Sequence, residues 1–191
     1  MIIEPQTDTG MSGSTIYVDL VDTHGHSIGT MEKLAAHRDP GIRHRAFSIF
    51  LVGDDGRLLM QRRASTKYHS PGVWTNTCCG HPEPGADPLE AANRRTFEEF
   101  GLHTRDLELA GIVEYRHKDP FTGLIEHEYN HTYVGQVEGL PSPNPQEIEA
   151  WVYLTPSEVR DLRNADSLSV WFDSVYEVAR PALARIADAK W

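Results

Sequence analysis

The chain is poor in cysteine, in positive charge and in long apolar runs. Its only two cysteines, Cys78 and Cys79, are neighbours among 191 residues. Adjacent cysteines seldom bridge, because such a ring needs an unusual peptide geometry. Free thiols in a reducing cytoplasm are therefore expected, not a disulfide scaffold. No apolar run approaches the 18 residues of a membrane helix. The first residues, MIIEPQTDTGMSGST, show no basic start followed by an apolar stretch, so no signal peptide is visible. Lys and Arg number 18 against 28 Asp and Glu, a formal net charge of −10. That balance argues against a protein that coats nucleic acid or an anionic membrane. It leaves room for a local basic pocket holding a small anion. Repeats and low-complexity tracts are also missing. What is present is a 39% apolar share and ten histidines, enough to build one sizeable core.

The polar, Gly/Ser/Thr-rich residues 1–14 read as a mobile leader, and 15–191 as one domain. Strands are expected at 16–21, in a short run ending at Met31, and at 44–52. The Gly53-Asp54-Asp55-Gly56 turn should close a hairpin with 57–63. A short helix covers 32–38. Residues 64–86 show no period and read as a long irregular loop, which in a compact domain is usually functional. Asp87 as N-cap, Pro88 in the first turn, Glu90 three after the cap and terminal Gly101 define a helix. Leu89, Ala92, Thr96, Phe97 and Phe100 form its expected inner stripe. Strands follow at 107–117, 124–137 and 149–154. Thr155-Pro156-Ser157-Glu158 opens another helix, and 168–190 is helical with an expected break near Pro181. The pattern predicts an α/β (α+β) fold, a mixed sheet sandwiched by helices.

Four groups of residues carry chemistry. In the long loop, Cys79, Gly80 and His81 put a thiol, a permissive backbone position and an imidazole within three residues. In the strand at 124–137, period two places Glu126 and Glu128 on one face and His127 on the other. Two carboxylates so placed repel unless a cation or a shared proton joins them. The opposite face is not greasy, so which one lies inside stays open. His37 and His44, with His81 and the two glutamates, make a possible metal site of three nitrogens completed by carboxylates. Such a set suits zinc, manganese or iron, with magnesium also possible. Lys33, Arg62, Arg63, Lys67, Arg94 and Arg95 are conspicuous cations in an acidic chain and suit phosphate. Arg94 with Glu98 and Arg95 with Glu99 could equally be plain helix ion pairs.

Gly80, Arg94, Glu98, Glu99, Gly101 and Leu102 resemble the Nudix box, G-x5-E-x7-R-E-U-x-E-E-x-G-U with U bulky and apolar. Ala86 and Arg95 stand where two glutamates belong, which removes carboxylates a Nudix hydrolase would use. Other segments are similar to one branch of that superfamily, the type 1 isopentenyl-diphosphate delta-isomerases. They are Glu32–His37, His44–Ser48, Gln61–Ala64 with Lys67, Pro71–Asn76, Cys79–Pro82, Tyr115-Arg116, Glu126–Glu128 and Trp171. The resemblance runs from about residue 16 to 180. It implies a Nudix-type fold and interconversion of isopentenyl and dimethylallyl diphosphate through a tertiary carbocation, in isoprenoid biosynthesis. It assigns Cys79 and Glu128 as the acid/base pair, Tyr115 as an aid to protonation and Trp171 as a π-face for the cation. His37, His44, His81, Glu126 and Glu128 would hold a divalent metal (Mn2+, Zn2+ or Mg2+). Glu99 would meet Mg2+ arriving with the diphosphate, and Lys33, Arg63, Lys67 and Arg95 would grip the phosphates. Cys78 has no role beyond packing. The expected partner is a small diphosphate, with no nucleic acid or membrane, acting in the cytoplasm as a monomer or weak dimer. A Nudix hydrolase of a nucleotide or other diphosphate is the alternative, and a non-catalytic diphosphate-binding module a further one.

Overall fold

The computed structural model describes residues 15–67, 69–165, 168–188 and 191. The leader expected at 1–14 lies outside the described residues. In chain order the elements are β1 (Tyr17–Val21), β2 (Ser27–Glu32), α1 (Lys33–His37), β3 (His44–Val52) and β4 (Leu58–Arg63). Then come β5 (Trp74–Thr75), β6 (Cys78–Gly80), α2 (Pro88–Phe100), β7 (Thr104–Lys118) and β8 (Ile125–Val137). The chain closes with β9 (Ile148–Leu154), α3 (Pro156–Asn164) and α4 (Phe172–Ile186).

The strands form one mixed sheet organised around β3. Along one edge β3 pairs in parallel with β8, from His44 opposite Glu128 to Val52 opposite Gln136. Antiparallel β7 continues the sheet beyond β8. The other edge of β3 is shared by β1, β6 and β4 in turn. β3 is apolar on both faces because both are covered. Phe50 and Val52 face a core shared with α4 (Phe172, Val175, Tyr176, Ala179 and Leu183). Phe47, Ile49 and Leu51 face the opposite core with Ala91, Ala92 and Phe100 of α2. Strand alternation thus feeds two helices from one strand, which is the expected sandwich.

Three sequence expectations need correction. Residues 64–86 are not wholly irregular: β5 and β6 lie within them, and Cys79 is a strand residue paired with Ser48. Their brevity, and the polar run between them, hide any period. Phe97 is not part of the inner stripe of α2; it is 51% exposed and stacks on His103. Ala91 and Glu99 turn inward instead, the Glu99 carboxylate held by Gln61 and Arg95. Finally, α4 starts at Phe172 and runs unbroken through Pro181. Pro181 is exposed, and the buried stripe from Phe172 to Leu183 continues on both sides of it. Tertiary packing therefore outweighs the one N–H that proline removes. The capping expectations agree with the structure: Asp87 accepts from Leu89, and Thr155 with Glu158 forms a full capping box.

Candidate active site

At His44 the sheet presents a row of three polar side chains on adjacent strands. His44 of β3 is in register with Glu128 of β8, and Glu128 with Tyr115 of β7. The face left open by sequence is resolved here: Glu126, Glu128, Asn130 and Thr132 are all buried, and His127, Tyr129 and His131 are only half-buried. His37 enters from α1, and His81 follows β6. One donor atom from each of His37, His44, His81, Glu126 and Glu128 lies within 4.8 Å of the others.

The donor set fits a divalent cation. His37 Nδ1 is 2.7 Å from the Lys33 carbonyl and His44 Nδ1 2.8 Å from the Ile42 carbonyl. A carbonyl only accepts, so each Nδ1 carries the proton and each Nε2 aims a lone pair at the cluster. His44 Nε2 and His81 Nε2 are 3.1 Å apart, and His81 Nε2 is 3.0 Å from Glu128 Oε1. His37 Nε2 and Glu126 Oε2 face each other at 3.2 Å without hydrogen-bond alignment. Burial, then the neighbouring His37, depresses His44 from 6.5 to about 4, and burial holds His81 well below its usual value. Uncharged imidazoles beside carboxylates are the form that binds metal.

The two glutamates are electrostatically unequal. Burial would raise Glu126, but His37 and His69 overcome it and hold its carboxyl well below the usual range. Glu128 is pushed well up, first by burial and next by the charge of Glu126. A carboxyl pair split in this way is a recurrent mark of acid/base chemistry. Tyr115 donates to Glu128 Oε2 at 2.5 Å, and Asn130 Nδ2 donates to the same oxygen at 3.1 Å.

These groups open into a cavity of about 260 Å³. Every residue expected to act in proton transfer, cation stabilisation or phosphate binding lines it: Cys79, Glu128, Tyr115 and Trp171, with Lys33, Arg63, Lys67 and Arg95. His81, Glu99 and Glu126 also reach the wall, whereas His37 and His44 lie buried outside the lining. Burial, against the lowering effect of Arg63, pushes the Cys79 thiol up to about 12. Trp171 is fixed before α4 begins: Ser169 N–H donates to the Trp74 carbonyl at 2.9 Å, and the indole Nε1 to Asn76 Oδ1 at 3.4 Å. The guanidinium of Arg63 lies 5.5 Å from the Trp171 ring centroid. Glu99 is buried, receives Gln61 Nε2 at 2.8 Å and pairs with Arg95 at 2.6 Å.

Several residues here escaped the sequence reading. Glu147 pairs with Lys67 and lies 3.4 Å from Arg95, so two expected phosphate ligands already have a counter-ion. His69 contacts Glu126 at 2.9 Å. Asn76 and Gln61 lie in segments that carry the family resemblance, but their support of Trp171 and Glu99 was not expected. Outside those segments Asn130 left a usable signal, being two residues beyond Glu128 on the same strand face.

Comparison with known proteins settles the family. The NUDIX domain matches residues 42–174. A Streptomyces coelicolor isopentenyl-diphosphate Delta-isomerase is 50% identical over 197 residues, covering 100% of both chains. The chain belongs to the isopentenyl-diphosphate Delta-isomerase family. A Serratia proteamaculans member is 43% identical over 156 residues, covering 80% of this chain and 85% of its own. Solved structures confirm the Nudix fold. A Deinococcus radiodurans protein superposes with a TM-score of 0.66 at 23% identity, covering 86% of this chain and 98% of its own. An M. smegmatis Nudix hydrolase gives 0.55 at 19% identity, covering 89% of this chain and 95% of its own. Within the isomerase family framework, Arg95 answers an open point. It binds Glu98, Glu99 and Glu147 and supplies no carboxylate where the hydrolase pattern has one.

Proposed function

We propose that this isomerase moves the double bond of isopentenyl diphosphate with two proton-carrying poles that face one cavity. The observation that carries the reading is the convergence there of Cys79, the Tyr115–Glu128 pair and Trp171, beside four cationic side chains. In one direction Cys79 Sγ–H gives its proton to the terminal alkene carbon, and the cation forms at the tertiary carbon. Glu128 then takes a proton from the adjacent methylene, and the electron pair of that C–H bond becomes the new double bond. The return reaction runs the same steps backward, with Tyr115 assisting delivery beside Glu128. A thiol that burial keeps protonated suits the donating role, and a buried carboxylate beside a neutral hydroxyl suits the accepting one. Trp171 offers a π-face to the tertiary cation, worth about 2 kcal/mol in a desolvated site. Its ring already faces the Arg63 cation.

His37, His44, His81, Glu126 and Glu128 would hold the resident divalent metal, Mn2+, Zn2+ or Mg2+. When bound, it supplies positive charge that keeps Glu128 ionised and fixed. Glu99 would meet the Mg2+ that accompanies the diphosphate. Lys33, Arg63, Lys67 and Arg95 bind the phosphates, so the anionic end is held and the alkene lies between the poles. The partner is this small diphosphate alone, and the setting a cytoplasmic monomer or weak dimer.

Proton NMR of the protein with isopentenyl diphosphate and Mg2+ in heavy water tests the reading. The dimethylallyl isomer should appear with deuterium in its methyl groups. Release of phosphate with the alkene unmoved would overturn it in favour of a Nudix hydrolase. An unchanged spectrum from metal-filled protein would overturn it in favour of a binding module or a different substrate.

A further inference from the structure

Against the His/Glu cluster lies a buried imidazole that is not one of its donors. His69 Nε2 is 2.9 Å from Glu126 Oε1 and 3.6 Å from Asp119 Oδ2, close ionic contacts without hydrogen-bond alignment. His69 is 6% exposed, Glu126 4% and Asp119 1%. The two oxygens of Glu126 therefore face different ways: Oε1 meets His69, and Oε2 faces His37 Nε2 within the donor group.

Asp119 is anchored on both oxygens. Oδ1 accepts from the Phe121 and Thr122 amides at 2.8 and 3.2 Å. Oδ2 accepts from the Ser70 amide at 3.1 Å and its hydroxyl at 2.5 Å. Those bonds hold Ser70 at φ 43°, a left-handed conformation uncommon for a residue with a Cβ. The carbonyls of His69 and Ser70 in turn accept from Arg63 at 2.9 and 3.0 Å. The His69–Ser70 segment is thus fixed by Asp119 on one side and by Arg63 on the other.

We propose that His69, held by Asp119, is a positioning residue that fixes the rotation of the Glu126 carboxylate so that Oε2 presents to the cation. A carboxylate ligand whose second oxygen has an outer partner is oriented before metal arrives, and losing such partners typically weakens metal binding by about 10- to 100-fold. The same bracket holds Arg63 over Trp171, so one buried aspartate steadies both the metal side and the phosphate side of the cavity. This rests on reading the five-residue group as a metal site.

The test is a titration of metal-free protein with Mn2+, without substrate, following the free ion by electron paramagnetic resonance. Parent, His69→Ala, His69→Gln and Asp119→Asn are compared, with the metal-free unfolding midpoint of each. His69→Ala should bind Mn2+ about 10- to 100-fold more weakly. His69→Gln, whose amide can offer an N–H to Oε1, should recover most of that loss, and Asp119→Asn should fall between. Parent-like affinity in His69→Ala would overturn the proposal, as would a Gln variant no better than Ala at matched unfolding midpoints. If the parent itself binds no Mn2+, the metal-site reading fails first, and the variants are not needed to show it.

Discussion

Tyr115 and Glu128 stand opposite each other on β7 and β8, and the Tyr115 hydroxyl donates to Glu128 Oε2 at 2.5 Å. Asn130 Nδ2 bonds both partners, at 3.2 Å to Tyr115 and 3.1 Å to Glu128. Burial, then the Glu128 carboxyl, holds the phenol well above its usual value, so it remains a neutral donor. Tyr115→Phe keeps the ring and removes only that donor. We expect kcat to fall by about 100-fold or more, with KM little changed, since positioned proton transfer contributes about 10²–10⁴. Steady-state kinetics decide this, and a parent-like kcat would remove Tyr115 from the mechanism.

Cys78 and Cys79 are adjacent on β6, so their side chains leave opposite faces. Cys78 packs in the α2 core and Cys79 in the cavity wall. Cys79→Ser should lose most turnover and bind substrate almost as the parent does. Cys78→Ala should keep turnover and lose about 1 kcal/mol of stability. Kinetics with calorimetric substrate binding separate the two. Equal losses of turnover would mean that the proton-carrying thiol is misassigned.

Glu147 holds Lys67 and Arg95 in the conformation described here. Burial favours its neutral form, but Lys67 and Arg95 overcome that and keep it ionised. In the proposed site an entering diphosphate would therefore compete with an internal carboxylate for both cations. Glu147→Gln should tighten the binding of inorganic diphosphate by about two- to fivefold, the scale of a partly exposed ion pair. Isothermal titration without magnesium reads this directly. Weaker binding would show that Glu147 serves the ligand side of the site.

Much of this was legible in the sequence, for identifiable reasons. Helix caps at Asp87 and Thr155 are local chemistry, and the alternation of β8 put Glu126 and Glu128 on one face. Motif resemblance then named the donors and cations that the fold gathers. What escaped was non-local. His69, Glu147 and Asn76 gain their meaning from partners far along the chain, and no period or spacing marks such contacts. Phe97 was misplaced because hydrophobicity alone cannot tell an inward aromatic from an outward one when an acidic neighbour, Glu99, is drawn inside by a polar cavity.

That misplacement carries its own test. Phe100 is fully buried between α2 and β3, while Phe97 is 51% exposed. Phe100→Ala should cost about 3–5 kcal/mol in urea unfolding, through lost burial and the cavity left behind. Phe97→Ala should stay within about 0.5 kcal/mol of the parent. Comparable losses would put Phe97 back in the core stripe.

Acid should unfold the metal-free protein in a defined window. Burial depresses His44 from 6.5 to about 4, and His81 lies well below its usual value. Between those pH values the unfolded chain takes up protons that the folded chain refuses, so stability is present above about 6.5 and drains away toward 4. For His44 alone the full shift amounts to about 3 kcal/mol. Urea midpoints measured in chelator at pH 7, 6 and 5 should therefore fall steadily, and His44→Gln should flatten the slope relative to the parent. Added Zn2+ should raise the midpoint most at pH 7, because protons and the cation compete for the same nitrogens. Superimposable slopes in parent and variant would mean that His44 accepts its proton while folded, and that its lone pair is not held ready for metal.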